Sequence, residues 1–203
     1  MLLASMAMLL HHQNDAPGFI AYHHELLTYI PPRATPNHLR RILVELDNLK
    51  PEGASDTGRA LHYLGDVLGA RGMVILVSDL LHPLDDMVRH LKSLRARRHD
   101  LVVMQMIDPA ERDFPFDQSA TFVDLESGRE QFAIPGDIRE QYLENRRAHF
   151  DEIRKACVSN EIELVEFSTD EPLDRALYFF LHKRARARTT SSSNWRSRGR
   201  GGR

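Results

Sequence analysis

Met73-Val74-Ile75-Leu76-Val77 runs straight into Ser78-Asp79, and further on Leu101 to Ile107 runs into Asp108-Pro109. Short apolar runs of this kind, flanked by helical periodicity, predict strands buried on both faces of a parallel sheet. Between them Pro83 opens a helix with Asp85 and Asp86 in its first turn, where carboxylates oppose the helix dipole. Arg95, Arg97 and Arg98 close that helix at its negative end. Upstream, Leu61, Leu64, Val67 and Leu68 mark another helix, preceded by a loop over Lys50 to Asp56. Downstream, Glu161 to Phe167 reads as a further strand, and Asp170-Glu171-Pro172 starts a final helix to about Arg186. Strand and helix alternate, so the expected architecture is α/β with a mostly parallel, helix-covered sheet.

The flanks add smaller pieces. Residues 2–12 carry Leu2, Leu3, Met6, Leu9 and Leu10 at helical spacing with almost no polar face, which predicts a buried helix. Gly18 to His23 and Glu25 to Ile30 read as a hairpin, stopped by Pro31-Pro32. A helix follows over Pro36 to Asn48. Thr121–Leu125 and Glu130–Ile134 flank the turn Glu126-Ser127-Gly128-Arg129 and predict a second hairpin. Asp137 with Glu140 forms a capping pair for a long helix to about Ser159.

The 203 residues are 42% hydrophobic and 28% charged, the balance of a globular chain rather than a disordered one. Charge is unevenly spread. Residues 1–182 hold 19 basic and 29 acidic side chains, whereas 183–203 hold eight basic and none acidic. From Ala187 the tail is Thr, Ser, Gly and Arg around Trp195, with almost nothing to bury, so it is expected to be disordered. The domain is therefore drawn over 1–186 and a basic tail over 187–203. Such a tail serves as a solubilising extension or contacts RNA phosphates. No apolar stretch reaches the ~20 residues of a membrane span. One cysteine, Cys157, excludes an internal disulfide and any multi-cysteine metal site, and the expected setting is the cytoplasm.

Chemistry has few carriers. In open α/β sheets ligands bind outside the carboxyl ends of the strands, where Asp79 and Asp108 fall. Each also has a plain structural reading, as an acceptor for loop amides or a turn initiator. Gly53-Ala54-Ser55-Asp56-Thr57-Gly58 precedes a helix but lacks the Gly-Lys-Ser/Thr ending of a phosphate loop, and Ser55 or Asp56 reads as a helix N-cap. Of the 11 histidines, no two are three or four apart, and most are expected at the surface. Cys157 reads as a core thiol.

Several ordered segments together resemble domain-of-unknown-function family 58, whose main part is similar to a von Willebrand factor A domain. They are Gln13–Phe19, Tyr29–Arg33 with His38-Leu39, Pro51–Asp56 with Ala60-Leu61, Leu76–Leu80, Ile107–Glu111, Phe114–Phe116, Asp124–Gly128 and Thr169–Pro172. The resemblance spans nearly all of 1–182. It implies a doubly wound sheet with a metal-ion-dependent adhesion site at its upper edge. Ser55 falls at that site's Thr position and Asp79 at its later Asp position. The family's Asp-x-Ser-x-Ser loop and first, central strand are expected upstream of this chain, which leaves a remnant site with weak magnesium binding. The resemblance also implies a MoxR-type AAA+ ATPase as partner. The resulting reading is a non-enzymatic protein-interaction module. Its rivals are a magnesium-dependent phosphoryl hydrolase using Asp79 and Asp108, and RNA binding through the tail.

Overall fold

Leu101, Val102, Val103 and Met104 are all buried, because the strand that carries them, β4 (Asp100–Ile107), lies in the middle of a three-stranded parallel sheet. It pairs with β3 (Met73–Ser78) on one side and β7 (Glu163–Ser168) on the other. Alternation along β4 divides the core in two. Leu101 and Val103 face one way, against Leu61 and Leu64 of α3 (Thr57–Val67), Met87, Leu91 and Leu94 of α4 (Leu84–Ala96), and Phe150, Ile153 and Cys157 of α6 (Pro135–Ser159). Val102 and Met104 face the other way, against Leu2 and Met6 of α1 (Leu2–His12) and Phe180 in the helical residues of 173–182. Helices therefore cover both faces of the sheet, as its doubly apolar strands require.

The computed structural model describes residues 1–23, 26–50, 55–69, 71–81, 83–124, 128–175, 177–178 and 180–182. The basic tail, the expected end of the last helix at Arg186, and parts of the loops at 51–54 and 125–127 lie outside the described residues.

A second, separate sheet is the hairpin of β1 (Phe19–Tyr22) and β2 (Leu26–Ile30). It shares a small core with α1 and α2 (Pro36–Asn48), in which Ala7, Ile30 and Ile42 are buried. His38 is held there too, donating from Nε2 to the Pro17 carbonyl at 2.8 Å. A third sheet, β5 (Ala120–Val123) with β6 (Glu130–Ala133), follows the short α5 (Pro109–Asp113).

The structure departs from the sequence reading at four places. Met73–Val77 has helices over both faces but forms an edge of its sheet, pairing with β4 alone among the described strands, and Met73 is 39% exposed. α6 begins at Pro135 with Ile134 as N-cap and no side-chain cap, so Asp137 sits in its first turn instead of starting it. Proline at the first helical position is preorganised and needs no cap of its own. α1 buries only one side, leaving Met8 exposed. α5 forms directly after Asp108, where the sequence reads as a turn, nucleated when the Asp108 carboxylate accepts from the Ala110 N–H at 2.7 Å. Most of the described histidines are at least partly exposed, as expected; His38 and His99 are the buried ones, His99 accepting at Nδ1 from the Gly72 N–H at 3.3 Å.

Candidate functional site at the carboxyl edge of the sheet

Parallel strands deliver their carboxyl ends to one edge, and here β3 ends at Ser78 and β4 at Ile107. The turn after β3 is built by three side chains. Ser78 Oγ accepts from the Leu80 N–H at 3.1 Å, Asp79 Oδ1 accepts from the Leu81 N–H at 3.2 Å, and His149 Nε2 of α6 donates to the Leu80 carbonyl at 2.7 Å. Leu80 itself is buried with φ of 62°. A left-handed backbone is costly for a branched side chain, and it persists only where neighbours over-determine it. The side chain gains a core position in exchange, so burial and three hydrogen bonds hold the turn, and with it Asp79, in one place.

Beside it stands the start of α3. Asp56 is its N-cap, with Oδ1 accepting from the Arg59 N–H at 2.9 Å, and the Asp56 N–H donates to the His23 carbonyl at 3.0 Å. Ser55 is half-buried immediately before this cap. Thr57 is buried, and its Oγ1 lies 3.2 Å from the hydroxyl of Tyr22, which ends β1. Gly58 approaches Asp86 so closely that an added Cβ would sit 2.9 Å from that residue's Cβ. Only glycine allows the amino ends of α3 and α4 to come together there.

Charge ties these loops into one site. Burial pushes the Tyr22 phenol above its ordinary value; the Thr57 hydrogen bond opposes this and the Asp79 charge adds to it. Glu111 of α5 is also raised, first by burial and then by Asp79 and Asp108, with Arg146 acting against them. The Tyr142 hydroxyl donates to the Glu111 carbonyl oxygen at 3.1 Å, and that phenol is raised by burial and by the Glu111 charge. Asp79 and Asp108 are thus brought to the same edge, as expected, and Glu111 adds a further carboxylate there. Glu111, Tyr22 and Thr57 went unread in the sequence. Only Glu111 gave a usable signal, being three residues beyond Asp108 at the head of a Pro-initiated helix.

As a magnesium site the residues fall short. Magnesium prefers about six oxygen ligands in near-octahedral array. Ser55 and Asp79 offer one hydroxyl and one carboxylate, and an oxygen of Asp79 already accepts a loop amide. Among the described residues, no three His, Cys, Asp or Glu side chains converge as metal ligands do. The donor set does not fit a resident ion. Cys157 stands apart in the core, and burial pushes its thiol up to about 11.

Fold and edge together define an α/β domain with a parallel sheet, helices on both faces, and an acidic, phenol-lined carboxyl edge. The chain belongs to the family described as protein of unknown function DUF58, whose model matches residues 1–152. It is 26% identical over 148 residues to an uncharacterised protein of Mycobacterium bovis, a match covering 71% of this chain and 46% of that relative. An uncharacterised protein of Mycobacterium avium is 25% identical over 117 residues, covering 57% of this chain and 68% of the relative. The chain therefore spans about half the length of the Mycobacterium bovis relative. Among solved structures, the conserved hypothetical protein BatB of Bacteroides thetaiotaomicron superposes with a TM-score of 0.54 at 12% identity, covering 91% of this chain and 85% of that one. An aerotolerance-related membrane protein of Bacteroides fragilis gives 0.53 at 13% identity, covering 83% and 80%. Both likenesses concern the fold alone. In this chain no helix among the described residues is long and apolar enough to cross a membrane.

Proposed function

We propose that this chain is a non-enzymatic protein-interaction module, which takes an extended segment of its partner as an added strand along β3. The observation that carries the reading is the character of that edge. Edge strands usually blunt themselves with charge, proline or a bulge. β3 is Met-Val-Ile-Leu-Val-Ser, with none of these, and it pairs regularly with β4 over its whole length. Its sequence suits a strand with neighbours on both sides. An apolar, extended peptide would complete its main-chain hydrogen bonds, and side-chain pockets on the two faces would select it. Family resemblance suggests a MoxR-type AAA+ ATPase as the partner, with Ser55 and Asp79 at the rim of the contact. The hydrolase reading has less support, since Asp79 and Asp108 each already commit a carboxylate oxygen to a loop amide.

Hydrogen exchange on the purified chain, alone and mixed with a MoxR-type ATPase from the same genome, tests this. Alternate amides of 73–78 should become protected in the complex. Binding without protection of β3 would refute strand addition, and failure to bind would remove that ATPase as the partner.

A further inference from the structure

The hairpin of β5 and β6 is covered on one face only. By strand alternation Ala120, Phe122 and Ala133 point inward. There Phe122 stacks on Phe114 at 5.8 Å and meets Phe116 edge-on at 5.3 Å, and Phe114 packs on Tyr142 of α6 at 4.7 Å. The opposite face carries Thr121 and Val123 of β5 with Glu130 and Phe132 of β6, Thr121 lying in register with Phe132 and Val123 with Glu130. Ile134, in extended backbone just before α6, continues that row. Val123, Phe132 and Ile134 are 51%, 67% and 49% exposed. Solvent-facing positions of an antiparallel pair are ordinarily polar, so three large apolar side chains side by side mark a surface that another molecule covers.

Two properties of the face narrow what covers it. The first is charge. Among the described residues of this face Glu130 alone is charged, and it sits at the turn end of β6. The centre therefore offers nothing for a strongly charged partner to read, and the eight basic side chains of 183–203 have no counterpart there. The second is area. An aromatic side chain has about 150–250 Å² to bury and an aliphatic one less, so these exposures leave roughly 300 Å² of apolar surface on each copy of the chain. Two such faces, at the ~60% apolar share of a protein interface, make a contact of about 1,000 Å², which is the lower bound for a specific one.

We propose that this face is the interface of a homodimer, in which two β5–β6 hairpins pack face to face across a twofold axis. A twofold contact uses the same patch on both copies, and a neutral apolar patch matches its own kind. Sheets packed in this way lie about 10 Å apart with strands crossing at roughly 30°. The large Phe132 ring has the smaller Thr121 directly across its own hairpin, so each ring has room to enter the matching hollow on the other copy. A two-stranded hairpin is marginal by itself, and the second layer encloses the face that its own domain leaves open. Neither β3 nor Asp79 takes part, so the dimer does not depend on the proposed strand addition.

Sedimentation equilibrium of the full chain tests the proposal. A reversible monomer–dimer equilibrium with a Kd of roughly 1–100 µM is expected, the weak range that suits a contact of this size. Phe132→Thr keeps a strand-forming residue and removes the ring. It should weaken the dimer at least about thirtyfold, because an interface aromatic is lost from both copies, and leave the circular dichroism of the dilute chain unchanged. Ile134→Thr places a better N-cap before α6, so it cannot act by unfolding the domain. It should weaken the dimer about tenfold, and it decides the matter if Phe132→Thr does not fold. A monomer at every concentration would overturn the proposal. So would a dimer whose Kd neither variant changes, the result that pairing through β3 would give. A monomer in which Phe132→Cys reacts slowly with a thiol reagent until 187–203 is deleted would overturn it as well, by assigning the face to the chain's own tail.

Discussion

Thr57→Val, combined with Tyr22→Phe in a double-mutant cycle, measures how the hairpin is fastened to the rest of the domain. β1 and β2 share no hydrogen-bonded ladder with β3, β4 or β7. Tyr22 packs against the larger core and meets Thr57 Oγ1 at 3.2 Å. Thr57→Val preserves shape and removes the hydroxyl, leaving the Tyr22 O–H buried and unpaired. The cost should be about 1–2 kcal/mol, whereas Tyr22→Phe, which leaves the smaller Thr57 hydroxyl, should cost about 0.5–1.5 kcal/mol. Because both variants break the same bond, the double variant should cost less than their sum by about 1 kcal/mol. In a domain of this size each kcal/mol lowers Tm by roughly 2–4 °C. Urea unfolding followed by circular dichroism provides the four free energies. The pH dependence has a definite sign. Folding raises the Tyr22 pKa, so above about pH 10 the unfolded chain loses this proton before the native one, and stability falls as pH rises. Tyr22→Phe should flatten that part of the curve. Additivity within roughly 0.3 kcal/mol, with an unchanged alkaline limb, would refute the fastening role of this pair.

Two further outcomes follow from the buried acids. Cys157, with its thiol pushed up to about 11, should resist a thiol reagent at pH 8 in the native state and react at once in denaturant. The unfolded chain ionises near 9, so Cys157→Ala should remove a loss of stability between pH 9 and 11. Rapid native labelling would contradict the burial. Asp79→Asn should lower the midpoint of Glu111 toward its ordinary value, read by carboxyl NMR titration, because the Asp79 charge helps raise it. An unmoved midpoint would separate the two loops electrostatically.

Much of the secondary structure was legible from residues alone, because it rests on local periodicity and punctuation. The helix over Pro36–Asn48 has the bounds its apolar spacing predicts, and both hairpins lie where alternation and turn residues put them. Asp56 caps α3 as a short acceptor before a helix should. Order of segments along the chain was enough to indicate the family, and buried runs were enough to indicate a helix-covered parallel sheet. Asp79 and Asp108 could be placed at one edge for the same reason, since parallel strands end on the same side.

What the sequence could not supply depends on distance through space. Apolar residues make a strand's faces visible, but its lateral neighbours leave no local mark, so only the assembled sheet shows β3 at an edge. Glu111 joins the acidic edge because the Asp108 carboxylate starts a short helix there, and Phe114, with φ of 45°, then ends it. Gln105 shows the limit most clearly. In the chain it is a single polar residue within an apolar run. Its Nε2, buried without an acceptor among the described residues, and the cavity that Arg112 of α5 and Arg146, Arg147 and Arg154 of α6 line beside it, arise only once α6 has packed across β4 and β7. Local propensity and burial pattern are properties of neighbouring residues, whereas a donor without an acceptor is a property of the packed interior, and that is decided by the tertiary fold alone.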